Sequence, residues 1–224
     1  RGFETVTLAF KGKVEHYDSA GNHGIIGEGD VQWMTAASGI LHKEFHEKEF
    51  SKTGGEFQMV QLWVNLPAKY KMSTPKYQGI EDKEFNRVVL PNGDGEVVVI
   101  AGNLANTKGK AETFTPIEMY RGELNAGANL TLSLPANFNT GILVINGSLL
   151  VNETDLVPQD HFALFQNDGT EISIQANEKT TFLLLSGEAI NEPIVAHGPF
   201  LMNTEAEIRT AMKDFGSGKF GHLD

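Results

Sequence analysis

The chain of 224 residues contains no cysteine, and this absence excludes disulfides, zinc–thiolate sites, iron–sulfur clusters and cysteine nucleophiles. Any metal must therefore be held by nitrogen and oxygen. Basic residues are few, 18 Lys and Arg against 29 Asp and Glu, and a net charge of -11 argues against a broad cationic surface for nucleic acid or anionic lipid. No run approaches the ~20 apolar residues that a membrane span requires, and no signal peptide is visible.

Several catalytic motifs are also missing. The sequence has no G-x-S-x-G, no phosphate-binding G-x-x-x-x-G-K and no ordered G-x-G-x-x-G, so it does not match the common hydrolase and nucleotide-binding patterns. What it does contain, 24 Gly, 8 Pro and 9% aromatic residues, is typical of a turn-rich globular protein. There is no initiating Met, and the chain opens inside a predicted strand at Phe3, so we expect residues upstream of Arg1.

The most informative stretch runs from residue 24 to 47 and reads GIIGEGDVQWMTAASGILHKEFHE. An apolar strand and a Ser-Gly turn lead into His42-x-Glu44. If this segment is extended, the two side chains point the same way about 7 Å apart, close enough to reach one cation. His46 lies about 13 Å from His42 in such a strand, too far to share that cation. An H-x-E pair alone is more often a surface pair than a metal site, so the assignment depends on the surrounding sequence.

The opening strand carries a carboxylate on its apolar face. Val6, Leu8 and Phe10 share one face of the segment, and Glu4 falls on the same face. Burying a carboxylate is energetically costly unless it is paired. Glu4 is therefore expected either near a cation or exposed to solvent at the end of the strand. His16 is expected on exposed strand or loop surface, as is His23, and neither is assigned a role.

Two further segments show the patterns of a strand and of a helix. Residues 58 to 66, QMVQLWVNL, predict a strand in which Trp63 either lines a pocket or belongs to the core. A capping box at Thr204 and Glu207 precedes apolar residues spaced i, i+3, i+4 and i+7, which predicts a helix at about 204–215 that packs on a sheet.

An internal repeat of roughly 130 residues runs through the chain. LAFKGKV at 8–14 aligns with LVINGSL at 143–149, and EGDVQWM at 28–34 aligns with PQDHFAL at 158–164. The repeat predicts two copies of one all-β unit, which we divide into residues 1–110 and 111–224. The counterpart of His42 and Glu44 falls near Ile172 to Ile174, which is apolar, so the second copy is expected to carry no metal.

Four segments in the right order, RGFETVT, GDVQWMTAASGILHKE, QLWVNLP and EPIVAHGPFLMNT, resemble the pirin family over essentially the whole chain. The resemblance implies an all-β bicupin, with two tandem jelly-roll-like barrels and a short C-terminal helix. It also implies a single iron in the N-terminal barrel and, for several members, a quercetin 2,3-dioxygenase-like activity.

Carried over to this sequence, the family's His-x-Glu ligand pair falls on His42 and Glu44. The other two family ligands, a His-x-His just before R-G-F-E-T, would lie upstream of Arg1. By parity these histidines would share the interior face of Glu4, Val6 and Leu8. Three imidazoles and one carboxylate suit Fe(II) with open positions, although other divalent metals such as manganese, copper or nickel could also occupy the site.

The resemblance implies two alternative functions. One is a dioxygenase that uses O₂ to open a ring of a flavonol or similar aromatic substrate, with Glu44 as a candidate base. We expect its pocket to be lined by Glu4, Trp33, Met34 and Trp63. The other is a metal-dependent regulator, either a transcriptional coregulator or a modulator of a metabolic enzyme, that binds a protein partner. A bicupin with an incidental metal is the third option.

The expected protein is a monomer without direct nucleic-acid or membrane contact. We expect it in the cytoplasm or, if the protein is eukaryotic, in the nucleus.

Overall fold

The computed structural model describes residues 1–223 and consists mainly of β-strands, as the sequence predicts. The chain folds into two compact units. The first unit contains residues 1–84 and the segment from residue 190 onward, and the second contains residues 85–189. Among the described residues, no helix is long and apolar enough to cross a membrane.

The first unit opens with strands that form two sheets, ordered β6-β1-β4-β7 and β3-β2-β5. Its elements up to residue 84 are β1 (Phe3–Lys11), β2 (Val14–Asp18), β3 (His23–Ile26), β4 (Val31–Thr35), β5 (His42–His46), α1 (Lys48–Thr53), β6 (Gln58–Asn65) and β7 (Lys76–Ile80). Helix α1 follows β5 directly and leads towards β6. It forms because the Glu47 carboxylate accepts the amide protons of Glu49 and Phe50, each at 2.9 Å.

The second unit also contains two main sheets, ordered β17-β14-β19-β12-β9-β8 and β13-β18-β15-β16. Its strands are β8 (Asn86–Val89), β9 (Gly95–Ala101), β10 (Asn103–Leu104), β11 (Thr107–Lys108), β12 (Ile117–Leu124), β13 (Asn129–Ser133), β14 (Phe138–Asn146), β15 (Ser148–Val151), β16 (Asp155–Pro158), β17 (Phe162–Leu164), β18 (Glu171–Ala176) and β19 (Thr180–Glu188). The apolar residues between these sheets form one continuous core, which includes Val99, Leu132, Leu149 and Phe182.

The chain then returns to the first unit through β20 (Val195–His197), β21 (Phe200–Met202) and α2 (Glu205–Gly216). Thr204 caps α2 by accepting the Glu207 amide proton at 3.2 Å, so the predicted helix is confirmed. Its buried residues Ile208 and Ala211 pack against the apolar cluster of β21, whereas Met212 and Phe215 remain about half exposed.

The division between the units differs from the one predicted after residue 110. The structure divides the chain at Glu84, because β9 pairs with β12 along its length and β8 pairs with β9. The segment from residue 190, including α2, belongs to the first unit and not to the second.

The predicted repeat is visible in the strand pairing. In the first unit β1 pairs with β4 and β6, and β2 pairs with β3 and β5. In the second unit β14 pairs with β17 and β19, and β15 pairs with β16 and β18. Each pair of sheets encloses an interior, but the sheets do not close into continuous barrels.

Candidate metal centre

Three potential metal ligands converge in the interior of the first unit. His16 on β2 lies opposite Glu44 on β5, and Asp18 lies opposite His42 in the same register. One ligand atom from each of His16, His42 and Glu44 lies within 4.8 Å of the others. Because β2 alternates between buried and half-buried residues, its His16 side chain points inward and is fully buried.

The opposite sheet supplies three polar side chains to the same interior. Thr7 on β1 donates its hydroxyl proton to Glu44 Oε1 at 3.3 Å, and Gln61 on β6 donates from Nε2 to Glu44 Oε2 at 2.8 Å. Gln32 on β4 lies with its Nε2 3.1 Å from His16 Nδ1. The interior between the sheets is therefore polar at this level, and it is apolar near Ala9, Val14 and Ile26.

The electrostatics of the site favour a cation. Burial alone would raise the pKa of Glu44, but His16, His42 and Gln61 together hold that pKa below its usual range. Desolvation of the ring lowers the pKa of the His42 imidazole against the opposing effect of Glu44, although the residue as a whole is exposed. At neutral pH the carboxylate is thus charged and the His42 imidazole is neutral, the forms that bind a metal.

The donor set fits a divalent metal held by nitrogen and oxygen. His16 Nδ1 lies 3.7 Å from Glu44 Oε1, too far for a hydrogen bond. Two fully buried atoms beside them, His16 Nε2 and Gln32 Oε1, have no hydrogen-bond partner. Buried polar atoms are normally satisfied, and imidazole with carboxylate is the donor chemistry of iron, manganese and nickel sites. His16, His42 and Glu44 could therefore hold such an ion.

The structure brings the predicted pair His42 and Glu44 together with a residue that the sequence analysis missed. His16 was expected on the surface, but it is fully buried between Tyr77, whose ring centroid is 5.4 Å away, and Asp18. The alternation along β2 shows that His16 shares a face with the apolar Val14, but the pairing of β2 with β5 is known only from the structure. His23 is exposed as expected and lies 3.0 Å from Glu15.

The pocket residues suggested by the sequence fall on two faces of the sheet. Met34 and Trp63 both lie opposite Thr5, on the face that carries Thr7 and Gln61 towards Glu44. Met34 is buried, whereas Trp63 is 51% exposed and stacks on Phe3 with ring centroids 4.2 Å apart.

Glu4 and Trp33 lie on the opposite face, and the parity prediction that Glu4, Val6 and Leu8 face the site is wrong. Glu4 is paired with Thr35, and Val6 is paired with Trp33. Both residues differ from Thr7 by an odd number of positions along β1, so their side chains point to the other face of the sheet. Glu4 is buried and accepts the Thr35 hydroxyl proton at 2.6 Å, and burial raises its pKa. The prediction failed because β1 is buried on both faces, so its apolar face is not the one that lines the site.

Two equivalent two-sheet units, one of which gathers nitrogen and oxygen ligands in its interior, define a bicupin with a candidate metal centre. Two family models match the sequence: Pirin over residues 1–64 and the pirin C-terminal cupin domain over residues 119–221. The chain belongs to the pirin family.

Individual relatives agree with this assignment. A Pseudomonas aeruginosa protein, named provisionally as a quercetin 2,3-dioxygenase, is 46% identical over 98% of this chain and 77% of its own length. Human pirin is 35% identical over 99% of this chain and 76% of its own length. The crystal structure of quercetin 2,3-dioxygenase from Acinetobacter baumannii superposes with a TM-score of 0.95 at 48% identity and covers all of this chain and 78% of that one.

Proposed function

We propose that the protein is an iron-dependent oxygenase of the quercetin 2,3-dioxygenase type, which uses O₂ to open a ring of a flavonol or a similar hydroxylated aromatic compound. The observation that carries the proposal is the convergence of His16, His42 and Glu44. The names of the Pseudomonas aeruginosa and Acinetobacter baumannii relatives supply the substrate class.

In this proposal His42 and Glu44 hold the metal, as in the family's ligand pattern, and His16 is a further nitrogen donor from β2. When bound, a redox-active ion with open positions supplies electrons and a site where substrate and O₂ can be held side by side. The donors Thr7 and Gln61 keep the Glu44 carboxylate in place from the facing sheet. Glu44 is also the candidate base for the substrate hydroxyl, because it is the only carboxylate of the ligand group.

Trp63 is the residue we assign to substrate orientation. It lies on the site face of β6, two positions from Gln61, and half of its surface is exposed. Phe3 stacks against it and holds the indole in place. A half-exposed indole beside a metal site provides an apolar platform for a planar aromatic ring.

The first experiment is elemental analysis of the full natural protein, followed by O₂ uptake on adding quercetin. We expect about one iron per chain and quercetin-dependent uptake that is lost in His42→Ala. Bound iron without uptake would favour the regulatory alternative, and a protein without metal would refute both functions. For the base, a Glu44→Gln protein that holds iron and keeps full turnover would exclude Glu44.

A further inference from the structure

We propose that Thr7 and Gln61 are positioning residues that fix the orientation of the Glu44 carboxylate for metal binding. The inference rests on the metal site of the proposed function, and it adds two residues outside the family's ligand pattern. Neither residue contacts the substrate in this role, since both act through Glu44.

Thr7, Gln61 and Glu44 form a closed ring of hydrogen bonds, called here the Glu44 clamp. Gln61 Nε2 donates to Glu44 Oε2 at 2.8 Å and to Thr7 Oγ1 at 3.2 Å, and Thr7 donates its own proton to Glu44 Oε1 at 3.3 Å. The direction of each hydrogen bond in the ring is fixed, because a carboxylate only accepts and the amide nitrogen only donates. The ring therefore fixes the Thr7 hydroxyl and the Gln61 amide as well as the carboxylate.

The clamp joins the two sheets of the first unit. Thr7 and Gln61 are directly opposite each other on β1 and β6, whereas Glu44 projects from β5 in the other sheet. Thr7 is fully buried and Gln61 is exposed, so the ring extends from the interior to the mouth of the site. Each carboxylate oxygen accepts one proton from the clamp and keeps a further lone pair for other contacts.

The second unit shows that the fold does not require these polar residues. The repeat places Ile142 at the position of Thr7, and Leu184, opposite Ile142 on β19, at the position of Gln61. Ile174 takes the place of Glu44, because it lies opposite Val151 as Glu44 lies opposite His16. All of these residues are buried in the apolar core of that unit. The first unit therefore has both the donors, Thr7 and Gln61, and their acceptor Glu44, whereas the second unit has neither at the equivalent positions.

Partners that orient metal ligands typically affect metal affinity by 10- to 100-fold. We therefore expect Thr7→Val and Gln61→Leu each to weaken binding of Ni(II), used as an air-stable probe, by about tenfold or more. Thr7→Ser keeps the hydroxyl and should retain nearly the affinity of the natural protein. Because the two donors share one ring, the double variant should lose less affinity than the product of the two single losses.

The test is a chelator-competition titration of the full natural protein and these variants with Ni(II), with the Tm of each metal-free protein measured alongside. Gln175→Leu on β18, an exposed strand glutamine of the second unit, is the matched control and should bind Ni(II) normally. The Ni(II) d–d absorption spectrum should shift in Thr7→Val and Gln61→Leu but not in the control. A purely structural role would lower the Tm without moving either metal readout.

The results separate this inference from the proposed function. If the natural protein binds Ni(II) and His42→Ala does not, the metal site stands. Unchanged affinity and spectrum in both Thr7→Val and Gln61→Leu would then overturn the clamp alone. If the natural protein binds no metal, the metal site itself fails, and the clamp fails with it.

Discussion

At the scale of single residues, Lys71 shows how the first unit compensates for a buried charge. Its Nζ donates to Gly2 O at 2.8 Å, Asn65 Oδ1 at 2.6 Å and Leu201 O at 2.9 Å, and the residue is 2% exposed. All three ammonium protons are therefore used, and they link the start of β1, the end of β6 and β21.

Replacing Lys71 by Met should lower the free energy of unfolding by about 2–4 kcal/mol, because it leaves buried oxygen acceptors without a donor. Urea unfolding of the purified variant measures this. Lys69→Met, at an exposed position two residues earlier, is the matched control and should stay within about 0.5 kcal/mol of the natural protein. Equal losses in the two variants would contradict the interpretation.

Trp63 gives a second prediction at this scale. Trp63→Leu should raise the KM for a flavonol about two- to tenfold, because an aromatic contact is worth about 0.5–1.5 kcal/mol beyond its buried area. Steady-state O₂ uptake gives the KM, and the Ni(II) affinity should not change, since the indole is not a ligand. Phe162→Leu, at a half-exposed aromatic of the second unit, should leave both values unchanged. An unaltered KM in Trp63→Leu would exclude the indole from substrate binding.

The residues of the site were only partly predictable from the sequence. His42 and Glu44 could be paired because they are two apart in one strand, so local geometry sufficed. His16, Thr7 and Gln61 reach Glu44 from other strands, and single-strand periodicity carries no information about which strands will face each other.

At the scale of elements, β1 explains why the facing prediction failed. The usual rule places the apolar face of a strand inside. In this unit the interior holds polar ligands, so Thr5 and Thr7 line it, while Val6 and Leu8 are buried on the other face. The helix α2, by contrast, was predictable because its cap and its spacing are local features.

Helix α2 depends on a charged anchor at Asp214. The carboxylate accepts from Lys219 Nζ at 2.6 Å and from Arg1 Nη1 at 2.9 Å, and the Arg1 guanidinium lies over the Phe220 ring. The hydrogen bonds from Lys219 and then Arg1 lower the pKa of Asp214 below its unfolded value of 3.8. The anchor thus ties the helix to the segment that leads into β1.

Asp214→Asn should lower the Tm at pH 7, because the amide cannot form the same charged contacts. A depressed carboxyl pKa contributes stability that is present above pH 3.8 and is lost as the pH falls through the folded-state pKa. The Tm difference between the natural protein and the variant should therefore shrink below pH 3.8. Thermal unfolding by circular dichroism over a pH series tests this, with Asp168→Asn, at an exposed position, as control. A difference that stays constant into acid would contradict the assignment.

At the scale of the whole molecule, the two units should respond differently to metal. A ligand that binds only the folded state at 100 times its Kd stabilises that state by about 2.7 kcal/mol. Within residues 1–223 the group of potential ligands, His16, His42 and Glu44, lies in the first unit. The corresponding positions of the second unit are Val151, Ile172 and Ile174.

Hydrogen exchange with and without Ni(II) should therefore show added protection in β1, β2, β5 and β6. The equivalent strands β14, β15, β18 and β19 should exchange at unchanged rates. Peptides from these strands therefore serve as controls, within the same sample, for the peptides of the first unit. Equal protection in both sets of strands would mean that the metal acts on the molecule as a whole and not through the first unit's site. His42→Ala should abolish the difference.

The apolar interior of the second unit also has an evolutionary consequence. If a site were built there one substitution at a time, a carboxylate at Ile174 among Ile142, Val151 and Leu184 would have no donor, and it would either be protonated or destabilise the unit. A charged carboxylate would therefore need a donor on a facing strand that is introduced before it or together with it. The apolar interior thus keeps the two units different, because a single carboxylate substitution there does not create a metal ligand.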